Sequence, residues 1–451
     1  MNEILTPKQI ACAGELGGIR QSEIIENSGR AVAEEVARRY GSRKTIVLCG
    51  DGVAGKIGHV AAGHLQLWGW PIKISEGYFD RASLIIDALC STDSVYGTPT
   101  SLSEELKKSG VPVVAIDLPW GVDGLTGDRQ HAYLNADLCI TFFRKKPAHV
   151  LLPGRAHCGE VVVLQNGISD SVLREIVPRL WENAKPELPI PLTAGRKFNR
   201  GHAVVLSGGR FNTGASRLAA QAALNIGAGL VTLVGHSEAL MVQANHLTAV
   251  MLAEASNGNR LSEFFNDPRS NAVCIGPAAG VDESTREYVE IVLASGKAAV
   301  LDADALAACS ENPADLFQRI QSLPSRQVVT TPHEGEFSRL FGNVVDRSES
   351  KIVRAQKASQ ISGATVVLKG ADTVIAHPDG RAVVNTNAPA SLATAGAGDV
   401  LAGMITGLLA QGMLAFEASC AAVWLHGEAA NSFGHRNFTA EDLVRQIVQN
   451  P

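Results

Sequence analysis

The chain has 451 residues, 45% of them hydrophobic and 19% charged, with a formal net charge of -5. That length calls for two or three domains with sizeable cores. Mild acidity without a long basic run argues against a nucleic-acid partner, and no apolar stretch reaches the roughly 18 residues of a membrane span.

The opening MNEILTPKQIACAGELGG carries acids and no apolar core of signal-peptide length. Eight cysteines are scattered without a C-x-x-C pair. Buried thiols of a reducing cytoplasm are expected, not disulfides or a zinc site. Short apolar runs, each ending in Gly, Pro or Asp, alternate with helical patterns. They are KTIVLCG, WPIKISEG, LIIDAL, PVVAIDLP, LCITFF and EVVVLQ in the first half. In the second half they are HAVVLSGG, GLVTLVG, NAVCIG, AAVLDAD, QVVTTP and TVVLKG. The alternation predicts an α/β fold with mostly parallel sheets. Two domains, 1–185 and 196–451, are expected around a linker at 186–195 punctuated by proline and glycine. Such sheets bind ligands at the carboxyl ends of their strands, where each of the following motifs falls.

In VLCGDGVAGKIGHVAAGHL, Gly50, Gly52 and Gly55 have the spacing of a dinucleotide fingerprint between strand and helix. Glu76 ends the next strand near the position of a ribose-binding acid. Spacing alone therefore admits a dehydrogenase. Asp87 and Asp117 close two later strands. Further on, Gly208, Gly209, Gly214 and Ala215 let a ligand approach the backbone between a strand and a helix. Asp302 and Asp304 stand at a strand end, suited to organising Mg2+ through water or to capping the next helix. VVTTPHEGEF predicts a capping box from Thr331 to Glu334, with Pro332 at the first helical position. His333 then projects from a helix N-terminus, whose dipole disfavours imidazolium. Lys369 ends another strand, within reach of nucleotide phosphates or simply solvated. A hairpin turned at Pro378-Asp379-Gly380 follows.

The stretch ATAGAGDVLAGMITGLLAQG joins a nearly side-chain-free turn to a buried helix, with Gly412 at its far end. Glycines leave backbone N–H groups unobstructed, and the first N–H groups of a helix lack internal partners. Together with the dipole they favour a phosphate. Asp399, in the first turn, is then a base beside an anion hole, as phosphoryl transfer to a hydroxyl requires. The plainer alternative makes Asp399 only a cap.

Taken in order, TGASRLAAQAALNIGAGLVTL, CIGPAAG, VLDADAL, TPHEGEF, VVLKGADTVIA, ATAGAGDVLAGMI and AAVWLHGEAA resemble the NAD(P)H-hydrate dehydratases over about residues 195–445. These form a branch of the ribokinase-like fold, so a three-layer domain is implied. The resemblance implies a hydro-lyase that uses ADP or ATP, with Mg2+, to restore NAD(P)H from its hydrate. The C6 hydroxyl is phosphorylated and phosphate then leaves. Asp399 matches the base, and Gly396 and Gly398 the anion hole. Lys369, Gly370, Ala371, Asp372 and Thr373 match the nucleotide-contact segment. Ala215, Gly276 and His333 match substrate contacts, and a homo-oligomer is also implied. Where the family has Gly-Pro-Gly, this chain has Gly276-Pro277-Ala278, whose methyl group narrows the site.

VLCGDGVAGKIG, IIDAL, VVAIDLPWGVDGLTG and the segment from ADLCITFF to LQNGI likewise resemble the NAD(P)H-hydrate epimerases over about residues 5–170. Those enzymes interconvert R and S hydrates and hold potassium beside the substrate. A Rossmann-like three-layer domain is implied, with Asp117 at the substrate and Asp87 at the cation. The family's Asn-Asn-Gly-Gly-Asp is here Val53-Ala54-Gly55-Lys56-Ile57, and its Pro-Ser-Gly is Pro119-Trp120-Gly121. Ala54 and Trp120 offer no side-chain oxygen to a hard cation. Weak or absent potassium binding and impaired epimerisation are therefore expected, with Lys56 either offsetting Asp87 or Asp117 or solvated. Two alternatives stay open: a ribokinase-like vitamin-precursor kinase, and a first half that serves only assembly.

Overall fold

The computed structural model describes residues 2–75, 81–89, 100–130, 132–190 and 195–447. Glu76, and with it the ribose-acid expectation, lies outside them, as do residues 191–194 of the expected linker. The chain divides into two compact units, Met1–Glu182 and Asn183–Pro451.

In the first unit six parallel strands form one sheet: β1 (Thr45–Cys49), β2 (Ile72–Ser75), β3 (Leu84–Ala88), β4 (Val113–Ile116), β5 (Leu138–Phe142) and β6 (Glu160–Leu164). Their order is β2-β1-β3-β4-β5-β6. β1, β3, β4 and β5 are buried along their whole length. This is why they read as continuous apolar runs and not as alternating ones. Val47, Ile86, Val114 and Ile140 pack on one face against helices Gln21–Tyr40 and Val53–Leu67. Ile46, Leu48, Ile85 and Ala115 face the other side, among Leu106, Trp120 and Leu134. A short strand, β7 (Leu180–Glu182), ends the unit, with Trp181 bridged to Glu3.

The second unit carries β8 (His202–Leu206), β9 (Leu230–Gly235), β10 (Met251–Glu254), β11 (Ala272–Ile275), β12 (Ala298–Leu301), β13 (Val328–Thr330), β14 (Thr365–Leu368), β15 (Val374–Ala376) and β16 (Ala382–Val384). The order is β10-β9-β8-β11-β12-β13-β14-β15-β16. Pairings are parallel as far as β14, and β14-β15-β16 form an antiparallel end. The hairpin turns at Gly380, with φ of 93°. The sequence gives no signal for β10, an edge strand with no buried residue.

Helix Ala397–Ala410 is buried over most of its length, and Gly412 follows its cap with φ of 91°. It lies directly on helix Gly214–Asn225. A Cβ on Gly403 would sit 2.1 Å from Ala219 O, and one on Gly407 2.6 Å from Ala223 O. Both contacts advance by one turn together, so the two helices run parallel. One further turn toward their N-termini sets Asp399 beside Ala215.

Candidate functional site

In the second unit the loops leaving β8, β11, β12, β13 and β14 meet at the N-terminus of helix Ala397–Ala410. Gly396 takes φ of 86°, and no side chain caps the helix. The Ala397 N–H turns back to Thr394 O at 3.3 Å. The amides of Gly398 and Asp399 belong to the first turn, whose donors lack partners within the helix and suit an anion. Burial, and then the neighbouring Asp302 carboxylate, push the Asp399 carboxyl up to about 6 against the pull of Lys369.

Gly276, with φ of 126°, lies so close to β12 that a Cβ would stand 1.7 Å from Asp302 O. Ala278 itself holds a left-handed φ of 55°. Its carbonyl would be 2.3 Å from a Cβ on Gly208, so the Ala278 loop and the loop after β8 touch.

Asp302 and Asp304 do not form an ion cage. Asp302 Oδ1 accepts from Lys369 Nζ at 2.8 Å and from Thr331 Oγ1 at 2.7 Å. Asp304 Oδ2 accepts from the Gly280 N–H at 2.9 Å, fixing the Gly276 loop. Among the described residues, no cluster of three acidic or histidine ligands forms in this unit.

The capping box expected from Thr331 to Glu334 sits two residues later. Thr331 Oγ1 is spent on Asp302, and the helix begins at Glu334 with His333 as its cap. His333 Nδ1 accepts from the amides of Gly335 at 2.9 Å and Glu336 at 3.3 Å. Glu336 Oε2 accepts from the His333 N–H at 2.9 Å. The other ring nitrogen, Nε2, stands 3.4 Å from Glu336 Oε1, so Glu336 holds the imidazole from both ends of the cap.

Lys369 is not a free phosphate ligand. Burial pulls its ammonium down, but Asp302 outweighs this and holds it above the usual lysine value. In the following turn Asp372 pairs with Lys351 at 2.7 Å, and Thr373 Oγ1 donates to Gly370 O at 2.7 Å. Gly370 and Ala371 form the exposed crest of this turn. The Lys369 N–H donates to Pro332 O at 2.9 Å, which joins the segment to the His333 loop. Sequence reasoning missed Glu336 and the Asp302–Lys369 pair. Glu336 stands three residues after His333, the spacing of the cap it completes.

In the first unit a cavity of roughly 630 Å³ opens at the carboxyl ends of the strands, where the strand order reverses beside β1. Asp51, Ala54, Lys56, Asp117, Lys146 and Asn166 are among its lining. Lys146 Nζ pairs closely with Asp117 Oδ1. Burial pushes Asp117 up, but Lys146 prevails and holds the carboxyl below its usual range. Lys146 went unnoticed in the sequence, where it stands in the basic run RKK without a local mark of its partner.

Asp87 does not line this cavity. It is wholly enclosed, and its two oxygens accept from the Leu89 N–H at 3.1 Å and the Trp120 N–H at 2.8 Å. Burial pushes it up to about 6. Trp120 sends its side chain into one core cluster, and Ala54 belongs to the cluster on the other face of the sheet. These residues do not fit a potassium ion placed beside a substrate. Lys56 is exposed and offsets neither acid in an ion pair. The glycine fingerprint also has a packing cause: a Cβ on Gly55 would stand 1.7 Å from Gly50 O.

One soft-ligand cluster appears among the described residues, Cys139, His149 and Cys158, all buried. His149 Nδ1 accepts from the Lys146 N–H at 2.8 Å, and Nε2 bonds Asp117 O at 2.8 Å. A ligating histidine needs one free lone pair and an N–H to give away. Here the lone pair is taken and the proton faces a carbonyl, so the cluster braces Asp117, whose φ is 70°.

A family model for NAD(P)H-hydrate dehydratase matches residues 203–450. A second, described as YjeF-related protein N-terminus, matches residues 70–148. The chain is 30% identical to the Bifunctional NAD(P)H-hydrate repair enzyme Nnr of Moorella thermoacetica, across 96% of this chain and 94% of that one. The ADP/ATP-dependent NAD(P)H-hydrate dehydratase of Bacillus subtilis, co-crystallised with ATP/Mg2+, superposes with a TM-score of 0.50 at 27% identity, covering 58% of this chain and 92% of that one. A ribokinase-like superfamily protein from Enterococcus faecalis shares the fold, with a TM-score of 0.51 at 24% identity, covering 62% and 93% of the two chains.

Proposed function

The chain belongs to the bifunctional NAD(P)H-hydrate repair enzymes, and we propose that Asp399, the amides of Gly398 and Asp399, and Lys369 carry the dehydratase reaction. The observation behind this reading is the uncapped helix N-terminus at Gly396, with a carboxyl held near 6 in its first turn. ADP or ATP brings its terminal phosphoryl, with Mg2+, to the first-turn amides. Asp399 takes the proton from the C6 hydroxyl of the S hydrate, and that oxygen bonds to phosphorus as the nucleotide leaves. Loss of the C5 proton and of phosphate from C6 then restores the double bond. Ala215 and Gly276 approach the substrate through bare backbone, and His333 meets it from the cap of its helix. The turn from Lys369 to Thr373, exposed at Gly370 and Ala371, receives the nucleotide.

The product distinguishes this reading from a vitamin-precursor kinase. With S-hydrate, Mg2+ and either nucleotide, the reduced-nicotinamide absorbance returns in step with release of phosphate. A stable phosphoester accumulating instead would mean a kinase. ADP and ATP run side by side identify the phosphoryl donor.

For the first unit the reading is a pocket that receives the hydrate against the Asp117–Lys146 pair without a cation. Epimerisation of the R hydrate is expected to be slow and unchanged when potassium replaces sodium at equal ionic strength. A rate that potassium raises many-fold over the uncatalysed one would refute this.

A further inference from the structure

Two carboxylates, Asp302 and Glu336, and one ammonium, Lys369, gather at the ends of β12, β13 and β14. Lys369 Nζ is 2.8 Å from Asp302 Oδ1 and 3.9 Å from Glu336 Oε2. It would lie 3.5 Å from a Cβ on Gly398, so the ammonium rests against the turn that offers the anion hole. Asp302 is 1% exposed, and Thr331 Oγ1 anchors the same oxygen that holds Lys369. The Glu336 Oε2 atom is already engaged by the His333 N–H.

We propose that Asp302 is a positioning residue: it holds the Lys369 ammonium at the Gly398 amide, where a phosphoryl group arrives, and keeps it from pairing with Asp399 and disarming the base. The inference rests on the assignment of Asp399 as that base.

A buried ammonium pairs with whichever carboxylate it can reach. Without Asp302, the acids left around Lys369 are Glu336, tied to its cap, and Asp399. Two effects then lower the proton affinity of Asp399: the Asp302 charge no longer repels it, and Lys369 comes nearer. The other groups facing Asp399 and Lys369 are accounted for. Asp304, after β12, is bound to the Gly280 amide. Lys351, on helix Lys351–Ser362, is bound to Asp372. Burial drives His426, on helix Ala415–Asn431, down to about 4. Burial likewise holds the Cys274 thiol on β11 far above neutrality.

The test is the pH profile of kcat/KM for S-hydrate repair by the full chain with saturating nucleotide and Mg2+. Asp302→Asn is expected to move the acidic limb down by about one unit, with kcat on the plateau falling about tenfold. Nucleotide KM rises as well. In the Asp302→Asn/Lys369→Met protein no ammonium remains to collapse onto Asp399, so the limb returns to the parent value or above. A limb that stays put in Asp302→Asn overturns the proposal, as does one equally lowered in the double variant. Should Asp302→Asn fail to fold, Thr331→Val loosens Asp302 without removing charge. It must raise nucleotide KM and lower the limb by a smaller amount; no change in either refutes positioning. An Asp399→Asn protein as active as the parent would instead bring down the underlying base assignment.

Discussion

Asp399→Asn is expected to slow hydrate repair by about 10²–10⁴-fold in kcat, the range that loss of a general base produces. Asparagine keeps the shape of the side chain and the two first-turn amides, so nucleotide binding, read by calorimetry with Mg2+, should stay close to the parent. The same substitution should not destabilise the fold. In the native protein burial pushes the Asp399 carboxyl up to about 6, above the usual range of an aspartate. Folded chains therefore bind this proton more tightly than unfolded ones, and stability falls as pH rises through that window. At pH 8 the parent carries the cost of an ionised, half-enclosed carboxylate and the amide variant does not. A melting temperature at or above the parent's, with activity nearly gone, separates a chemical role from a structural one. An activity loss below tenfold would show that proton removal is carried elsewhere.

The strand pattern was readable because burial wrote it plainly. β1, β3, β4 and β5 are covered on both faces and have unbroken apolar runs. β2 and β6 have no buried residue, yet their β-branched runs still marked them, whereas β10, MLAE, has neither burial nor β-branched residues. Residues whose role is set by backbone were also legible: Gly396 and Gly276 hold φ values that side chains rarely adopt. Residues whose role is set by a distant partner were not. Lys369 reads as phosphate-reaching or solvated, and the sequence cannot show that its ammonium is paired with Asp302, 67 positions earlier. Thr331 reads as a helix cap for the same reason, although its hydroxyl goes to Asp302. Lys146 meets Asp117 across 29 positions, and nothing local marks that pair. The substitutions at Ala54 and Trp120 were visible, yet their consequence is sharper in three dimensions. Asp87 is wholly buried, and its two oxygens accept from the Leu89 and Trp120 amides.

Gly396→Ala is expected to damage both stability and catalysis, and Gly398→Ala next to it only catalysis. At φ of 86° an alanine pays a conformational penalty of about 1–2 kcal/mol. Its Cβ would also stand 2.8 Å from both Ala440 Cβ and Leu218 Cδ1. Leu218 can rotate, but Ala440 sits on a helix, so the turn itself must move. With a shift in Tm of about 2–4 °C per kcal/mol for a domain of this size, a fall of roughly 3–8 °C is expected by calorimetry. Displacing the amides by about 1 Å costs on the order of 10²-fold in kcat/KM. Gly398 has a helical backbone, and a Cβ there meets only Lys369 Nζ, at 3.5 Å, an ordinary contact. That variant should melt with the parent while nucleotide KM rises, because the methyl group intrudes between the ammonium and the incoming phosphoryl. Equal melting temperatures and equal rates for the two alanine variants would mean that the left-handed turn at Gly396 does not set the anion hole.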